Sequence, residues 1–208
     1  NAGYYFDSTT GSKATICPPG KYCPKDTTGP KESLPSCPTH TTSPEGSSSY
    51  SHCRAVAGWF YPHGSHDTDE NTVATACPED TYCVGDNESA VGCPLNTNTG
   101  GVGQKTQKSD CVADPGYYYN VTDASHINAQ ACPAGTYNPD HNSTDIDSCR
   151  KCPQNTYSAN KASIKSNNCL DCPNFSSTTY DDAGNPVEAG IETTGKTQLA
   201  DCKPAKMY

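Results

Sequence analysis

The chain has 208 residues, a formal net charge of −9 and a pI near 4.9, and Leu, Ile, Val and Phe together supply only 20 residues. So little aliphatic material excludes a conventional hydrophobic core, and the acidic balance excludes nucleic-acid binding, which needs a clustered basic face. Fourteen cysteines, an even number, point instead to disulfides as the source of order and to an oxidising compartment.

In chain order, one grammar repeats. A glycine-aromatic lead-in, Ala2-Gly3-Tyr4-Tyr5-Phe6, precedes Cys17-Pro18, closed by Cys23, and Cys37-Pro38, closed by Cys53. The lead-in returns as Ala57-Gly58-Trp59-Phe60-Tyr61, before Cys77-Pro78, closed by Cys83, and Cys93-Pro94, closed by Cys111. Its third occurrence, Pro115-Gly116-Tyr117-Tyr118-Tyr119, precedes Cys132-Pro133 to Cys149, Cys152-Pro153 to Cys169 and Cys172-Pro173 to Cys202. The lead-in glycines are 55 and then 58 residues apart, so the chain reads as three copies of one unit, spanning 1–55, 56–113 and an extended 114–208.

Gly and Pro contribute 17 residues each, and no window carries apolar residues at helical spacing, so helices longer than a turn are not expected. Short strands are expected where β-formers cluster, over 116–121 and 136–138, paired as hairpins. The predicted fold class is small and disulfide-rich: an elongated rod of tandem cysteine-rich repeats with short β-hairpins and little helix. Tyr22, Tyr82, Tyr137 and Tyr157 each stand five residues after an opener and are the candidate core, ring against disulfide. The residues just before the later closers, His52, Asp110, Ser148, Asn168 and Asp201, are small or polar.

The copies differ in a way that bears on pairing. Copies one and two read Cys-Pro-x-x-x-Tyr-Cys, ending at Cys23 and Cys83, whereas copy three carries Asn138 there and gains Cys149 before its next opener. One cysteine lost and one gained implies an exchanged partner: Cys17–Cys23, Cys77–Cys83 and Cys132–Cys149. The remaining cysteines then pair with their neighbours, as Cys37–Cys53, Cys93–Cys111, Cys152–Cys169 and Cys172–Cys202. Crossed pairs within a copy stay open, because sequence does not determine connectivity.

Four sequons, at Asn87, Asn120, Asn142 and Asn174, fit the N-glycan acceptor pattern, and the Ser/Thr-rich run 39–51 suits O-linked sugar or a solvated loop. Cys149-Arg150-Lys151-Cys152 and Cys169-Leu170-Asp171-Cys172 match structural zinc spacing, but each is also a closer followed by the next opener, so no metal is expected. Asp67-Thr68-Asp69-Glu70-Asn71 begins like a calcium loop, yet Thr72 stands where glycine is required and Pro78 where the bidentate glutamate is required. Asp181-Asp182 is a looser acidic candidate. His63 and His66 beside Asp67 lie in a polar stretch, and nothing resembles a nucleophile elbow or a phosphate loop, so neither enzyme activity nor a cofactor is expected. No apolar stretch approaches the roughly 18 residues that span a bilayer, and no leader segment is evident at Asn1.

The openers Cys-Pro-Pro-Gly-Lys-Tyr-Cys (17–23), Cys-Pro-Ala-Gly-Thr-Tyr (132–137) and Cys-Pro-Gln-Asn-Thr-Tyr-Ser (152–158) resemble the cysteine-rich repeats of tumour necrosis factor receptor-like and ephrin-receptor-like modules. Such repeats also occur in large protist surface proteins, including ciliate surface antigens, and the aromatic lead-ins look closer to these. The resemblance covers most of Cys17 to Cys202 and implies an elongated extracellular or cell-surface protein. Two departures stand out: the long 172–202 loop, expected to protrude, and the lead-ins themselves. Gly58 and Gly116 each follow a closer by five residues, a rule that places a closer before Asn1. Tyr208 occupies the slot of Trp59 and Tyr117. The chain is therefore expected to be an excerpt of a longer array. Together these readings predict a glycosylated structural protein that self-associates into a coat, appendage or filament, with N-linked glycans. The alternatives are the ligand-binding ectodomain of a tumour necrosis factor receptor-like receptor, with 59–61 or the 172–202 loop as its patch, and a carbohydrate-binding adhesin stacking sugar on Tyr117 to Tyr119.

Overall fold

The computed structural model describes residues 1–9, 13–62, 73–86, 89–119, 128–188 and 192–206. Among them there is no α-helix; the regular structure is nine antiparallel strand pairs, nearly all of two residues a side, one parallel pair of Tyr5-Phe6 with Thr27-Thr28, and six single-turn 3₁₀ helices. The protein is thus small, disulfide-rich and mostly β.

A single hairpin explains the grammar. After five of the seven openers the chain makes the same tight turn: Thr41, Thr97, Thr136, Thr156 and Ser176 donate their N–H to the carbonyls of Pro38, Pro94, Pro133, Pro153 and Pro173, at 3.1 to 3.2 Å. Their hydroxyls donate to the same carbonyls at 2.6 to 2.7 Å. The residue before each, His40, Asn96, Gly135, Asn155 and Phe175, has a φ between 62° and 80°, as such a turn requires of its second corner. Two residues then form the first strand, and a loop returns to the second strand just past the closer. Thr136-Tyr137 thus pairs with Lys151 and Arg150, and Thr156-Tyr157 with Asp171 and Leu170.

The polar residues before the closers are part of this design. Five of the 3₁₀ turns end on them, at His52, Asp110, Ser148, Asn168 and Asp201. Four of the side chains accept a backbone N–H from their own loop: Asp110 from Thr106 and Gln107, Asp201 from Thr197 and Gln198, Asn168 from Lys165 and His52 from Ser48. The loop is stapled to the 3₁₀ turn by the same logic that caps a helix.

The lead-ins are the same hairpin without its disulfide. Trp59 and Tyr117 donate to Val56 and Asp114 across the turn, both at 3.0 Å, and the corner glycines Gly58 and Gly116 both have φ 85°. Trp59-Phe60 pairs with Ala76 and Thr75, and Tyr117-Tyr118 with Ala131 and Gln130. In this register Ala55 and Ala113 occupy the opener's position, and Ala74 and Ala129 the closer's. With the Lys21–Ser36 bridge counted as a further antiparallel pair, the described residues hold ten such hairpins.

One triad of positions therefore recurs: the opener, the sixth residue after it, and the closer. It is filled in three ways. Cys37–Cys53 and Cys152–Cys169 bridge past a small Ser43 or Ser158. Cys17 and Cys77 bond to the sixth residue itself, Cys23 or Cys83, leaving the closer's place to Leu34 or Ala90; Leu34 is 3 % exposed and clusters with Tyr5, Cys17 and Cys23. In the second lead-in, Ala55 and Ala74 enclose the ring of Tyr61. Two alanines and a tyrosine thus replace a disulfide and a serine.

All seven disulfides join the expected partners: Cys132–Cys149 among those read from the exchange between copies, and Cys93–Cys111 and Cys172–Cys202 among those paired as neighbours. No cysteine is free. The candidate core is displaced by one residue, however. Tyr22, Tyr82, Tyr137 and Tyr157 are only half-buried, while the next residue faces inward: Cys23, Ser43, Tyr61, Cys83, Thr99, Asn138, Ser158 and Thr178 are all between 0 and 5 % exposed. Side chains alternate along a strand, so a shift of one residue exchanges the faces. The interior is made of sulfur, hydroxyl and amide groups more than of rings, and each polar group needs a partner.

The described chain divides into two compact units, residues 1–93 with 101–111 and residues 94–100 with 112–208. The first holds copies one and two apart from 94–100 and 112–113, which join copy three in the second.

Candidate functional site

Successive hairpins are held together chiefly by main-chain groups. In the first unit Gly46, Asp86 and Gln104 donate their N–H to the carbonyls of Cys17, Ala55 and Cys77 at 2.7, 2.9 and 2.8 Å. In the second, Asn142, Ala162 and Gly195 donate to Ala113, Cys132 and Cys152 at 3.0, 2.9 and 2.9 Å. Each donor lies in the loop of one hairpin and each acceptor is the opener position of the hairpin before. All six donors have positive φ, between 53° and 77°. Only in that conformation does the loop turn its N–H back onto its neighbour, and Gln104 and Ala162 adopt it despite the steric cost to a side chain.

Two further rungs complete the contact. The corner N–H groups of Gly3, Gly20 and Gly58 donate to Cys23, Ser43 and Cys83, and those of Gly116 and Gly135 to Asn138 and Ser158, all at 2.7 to 3.0 Å. The N–H groups of Cys23, Cys83, Tyr119, Asn138 and Ser158 in turn reach the carbonyls of Ser47, Lys105, Ser143, Ser163 and Lys196 at 2.8 to 3.0 Å. The approach is close: a Cβ on Gly135 would lie 2.1 Å from the Gly195 carbonyl oxygen, and one on Gly116 would lie 2.5 Å from that of Ala162.

Asn138 shows how copy three fills the place of a missing cysteine. It is 0 % exposed, its Nδ2 donates to the Tyr117 carbonyl at 3.0 Å and to Ser143 Oγ at 2.8 Å, and its Oδ1 accepts from Asp140 N–H at 3.1 Å. The amide is satisfied on both ends, which is what permits it at full burial.

Side chains add less. Arg54–Asp86 at 3.1 Å and Lys151–Glu192 at 2.5 Å tie one hairpin to the loop of another, while Arg150–Asp140 and Lys203–Asp182, both at 2.6 Å, lie within hairpins. Lys151, with Thr194, holds the Glu192 carboxyl down to about 2, yet exposed pairs of this kind contribute little net stability. Backbone donors from Thr106 and Gln107 hold Asp110 below the usual carboxylate range. Burial pushes the Tyr61 and Tyr119 phenols up, each hydrogen-bonded to a threonine of the preceding hairpin, Thr41 and Thr97.

Of the sequon asparagines, Asn142 and Asn174 are exposed, and Asn87 and Asn120 lie outside the described residues. So do the acidic run 67–71 and His63 and His66. The Asp181 carboxylate is taken up by the N–H groups of Ala183 and Asn185 at 2.9 and 2.8 Å, and Asp182 by Lys203, so this pair closes a turn. Cys149, Cys152, Cys169 and Cys172 are all disulfide-bonded. The described part of the long loop is drawn back toward its hairpin, with Val187 N–H on the Thr179 carbonyl at 2.7 Å and Thr178 Oγ1 on that of Thr193 at 2.7 Å. The second and third aromatic triplets do not form open platforms: Trp59 stacks on His40 with centroids 3.4 Å apart, Tyr61 is 5 % exposed and Tyr118 is 8 % exposed, whereas Tyr4 and Phe6 of the first are exposed.

The fold defines a disulfide-rich, mostly β protein built from one repeated hairpin, whose seven bridges fit an oxidising compartment. No helix among the described residues is long and apolar enough to cross a membrane, and those residues hold no group of three or more His, Cys, Asp or Glu that could bind a metal. No protein-family model matches the chain, and no curated protein is significantly similar to it.

Proposed function

We propose that this protein is a glycosylated extracellular structural protein, a repeat element of a cell-surface coat, appendage or filament. What supports this reading is the docking register. The same three backbone rungs join hairpins in both units, and apart from the glycines at the close-approach corners they call for no particular side chain. A contact made by main-chain groups accepts any number of further hairpins and tolerates wide sequence drift, the property of an array. Each of the seven disulfides stabilises its own hairpin locally, which suits a protein with almost no aliphatic core in an oxidising medium.

The test is the assembly state. The full chain, secreted from a glycosylating host, is followed by analytical ultracentrifugation over rising concentration and imaged by electron microscopy. Ordered polymers or sheets support a building element. A monomer at all concentrations that binds a soluble protein ligand through a single patch would favour a receptor ectodomain and overturn the reading.

A further inference from the structure

The corner residue of the hairpin turn has positive φ in all ten hairpins, and nine of them place Gly, Asn, Asp or His there; the tenth is Phe175, with φ 65°. A bulky aromatic is the wrong residue for that conformation, and Phe175 gains nothing by burial, being 90 % exposed and the most exposed large apolar side chain described. An unfavourable residue held in a left-handed corner and offered to solvent is an outlier that calls for a function.

Its neighbour supplies one. Asn174 is the other corner of the same turn, which Ser176 N–H closes on the Pro173 carbonyl at 3.1 Å, and it is exposed. Asn174-Phe175-Ser176 is a sequon. The Ser176 hydroxyl alone argues nothing, because Thr41, Thr97, Thr136 and Thr156 make the same bond to the turn carbonyl in other hairpins. What is particular to this turn is an acceptor asparagine and an open aromatic ring on adjacent corners. An aromatic face carries partial negative charge and receives the polarised C–H groups of a sugar ring.

We infer that Asn174 carries an N-linked glycan whose first N-acetylhexosamine packs on the ring of Phe175. In the modification, Asn174 Nδ2 forms a bond to the anomeric carbon of a lipid-pyrophosphate-linked oligosaccharide. The anomeric C–O bond to pyrophosphate breaks, the lipid pyrophosphate leaves, and one amide proton is lost to the transferase base. The sugar then covers the ring, and the exposed aromatic becomes part of a protein–glycan contact. This rests on the glycosylated part of the reading above.

The experiment is a cycle of four full-length proteins from one secretory host: wild type, Asn174→Gln, Phe175→Ala and the double variant. Peptide mass spectrometry reads occupancy, thermal melts read stability, and the glycans are trimmed to a single sugar. The expected results are an occupied Asn174, a Tm about 3 °C higher for wild type than for N174Q after trimming, and no such difference on the F175A background. The ring should also shift the N-acetyl and ring proton resonances of that sugar upfield, and F175A should remove the shift. An Asn174 left bare where Asn142 is occupied overturns the inference and leaves the structural function standing, whereas bare asparagines throughout would remove glycosylation from that function too. A glycan-linked gain in Tm that persists in F175A also overturns it, as does an F175A variant whose only change is weaker self-association.

Discussion

The hairpin opened by Cys77 and the one opened by Cys132 share a backbone and differ in what fills it. Both receive a loop N–H on the opener carbonyl, from Gln104 at 2.8 Å and Ala162 at 2.9 Å, and in both the sixth residue donates its own N–H to the next loop at 2.8 to 2.9 Å. Yet in one the sixth residue is Cys83, bonded to Cys77, and in the other it is Asn138, with Cys132 bonded to Cys149 seventeen residues on. The lead-in at Ala55 takes the exchange further and has no sulfur at all. The main chain sets the register, and the cross-link inside it is interchangeable so long as volume and hydrogen bonds are satisfied.

The largest test removes bridges of unequal span. By chain entropy, C152A/C169A costs about 3 kcal/mol and C77A/C83A about 2 kcal/mol, in the order of their separations of 17 and 6 residues. Chemical denaturation of the two double variants measures both, and a reversed order would show that the bridges act by something other than loop closure. Gly135→Ala should cost about 3 kcal/mol, from a left-handed corner and a Cβ driven into the Gly195 carbonyl. An unchanged denaturation midpoint would show that the contact between hairpins yields more readily than its geometry implies.

Asn138→Ala should cost about 2 kcal/mol by stranding the Tyr117 carbonyl and Ser143 hydroxyl. The companion variant N138C/C149A sharpens the comparison: non-reducing peptide mapping should find Cys132 bonded to residue 138, the arrangement of Cys77 and Cys83. A free thiol at both positions would show that the two hairpins are not equivalent. In the lead-in, A55C/Y61S/A74C should form an eighth bridge with no free thiols on the unfolded, unreduced protein. A55C/A74C alone should leave a thiol-reactive fraction, because Tyr61 occupies the space of the sulfurs.

The smallest effect is electrostatic. Glu192 is held at about 2, below its ordinary 4.5, so its contribution is complete above about 4.5 and is lost as pH falls toward about 2. E192Q should lower stability slightly at neutral pH, by the small amount an exposed pair contributes, and converge on wild type as pH falls toward about 2, which flattens that limb of the stability–pH curve; a variant equally destabilised at pH 7 and at about pH 2 would show that Glu192 acts other than through its charge.

The connectivity was legible because cysteine is scarce in function and conspicuous in sequence: the loss at Asn138 and the gain at Cys149 mark the exchange directly. The core was legible only to within one residue. Tyr137 and Tyr157 draw the eye, but the pleat turns them half outward and directs Asn138 and Ser158 in. A hairpin strand was expected in the lead-in at 116–121 and a pair forms there, but the kinship of the lead-ins with the cysteine hairpins was hidden, since alanines and a tyrosine carry no trace of the disulfide whose place they take.

Composition and cysteine spacing thus determined on their own that this chain is stapled, sparse in helix, repetitive and suited to an oxidising environment, because these follow from local covalent and solvation chemistry. Only the tertiary structure decided how one hairpin meets the next. The loop donors are Gly46, Asp86, Gln104, Asn142, Ala162 and Gly195, with no residue type in common. What they share is a backbone angle and a carbonyl to meet, and those are set by where the preceding hairpin lies in space.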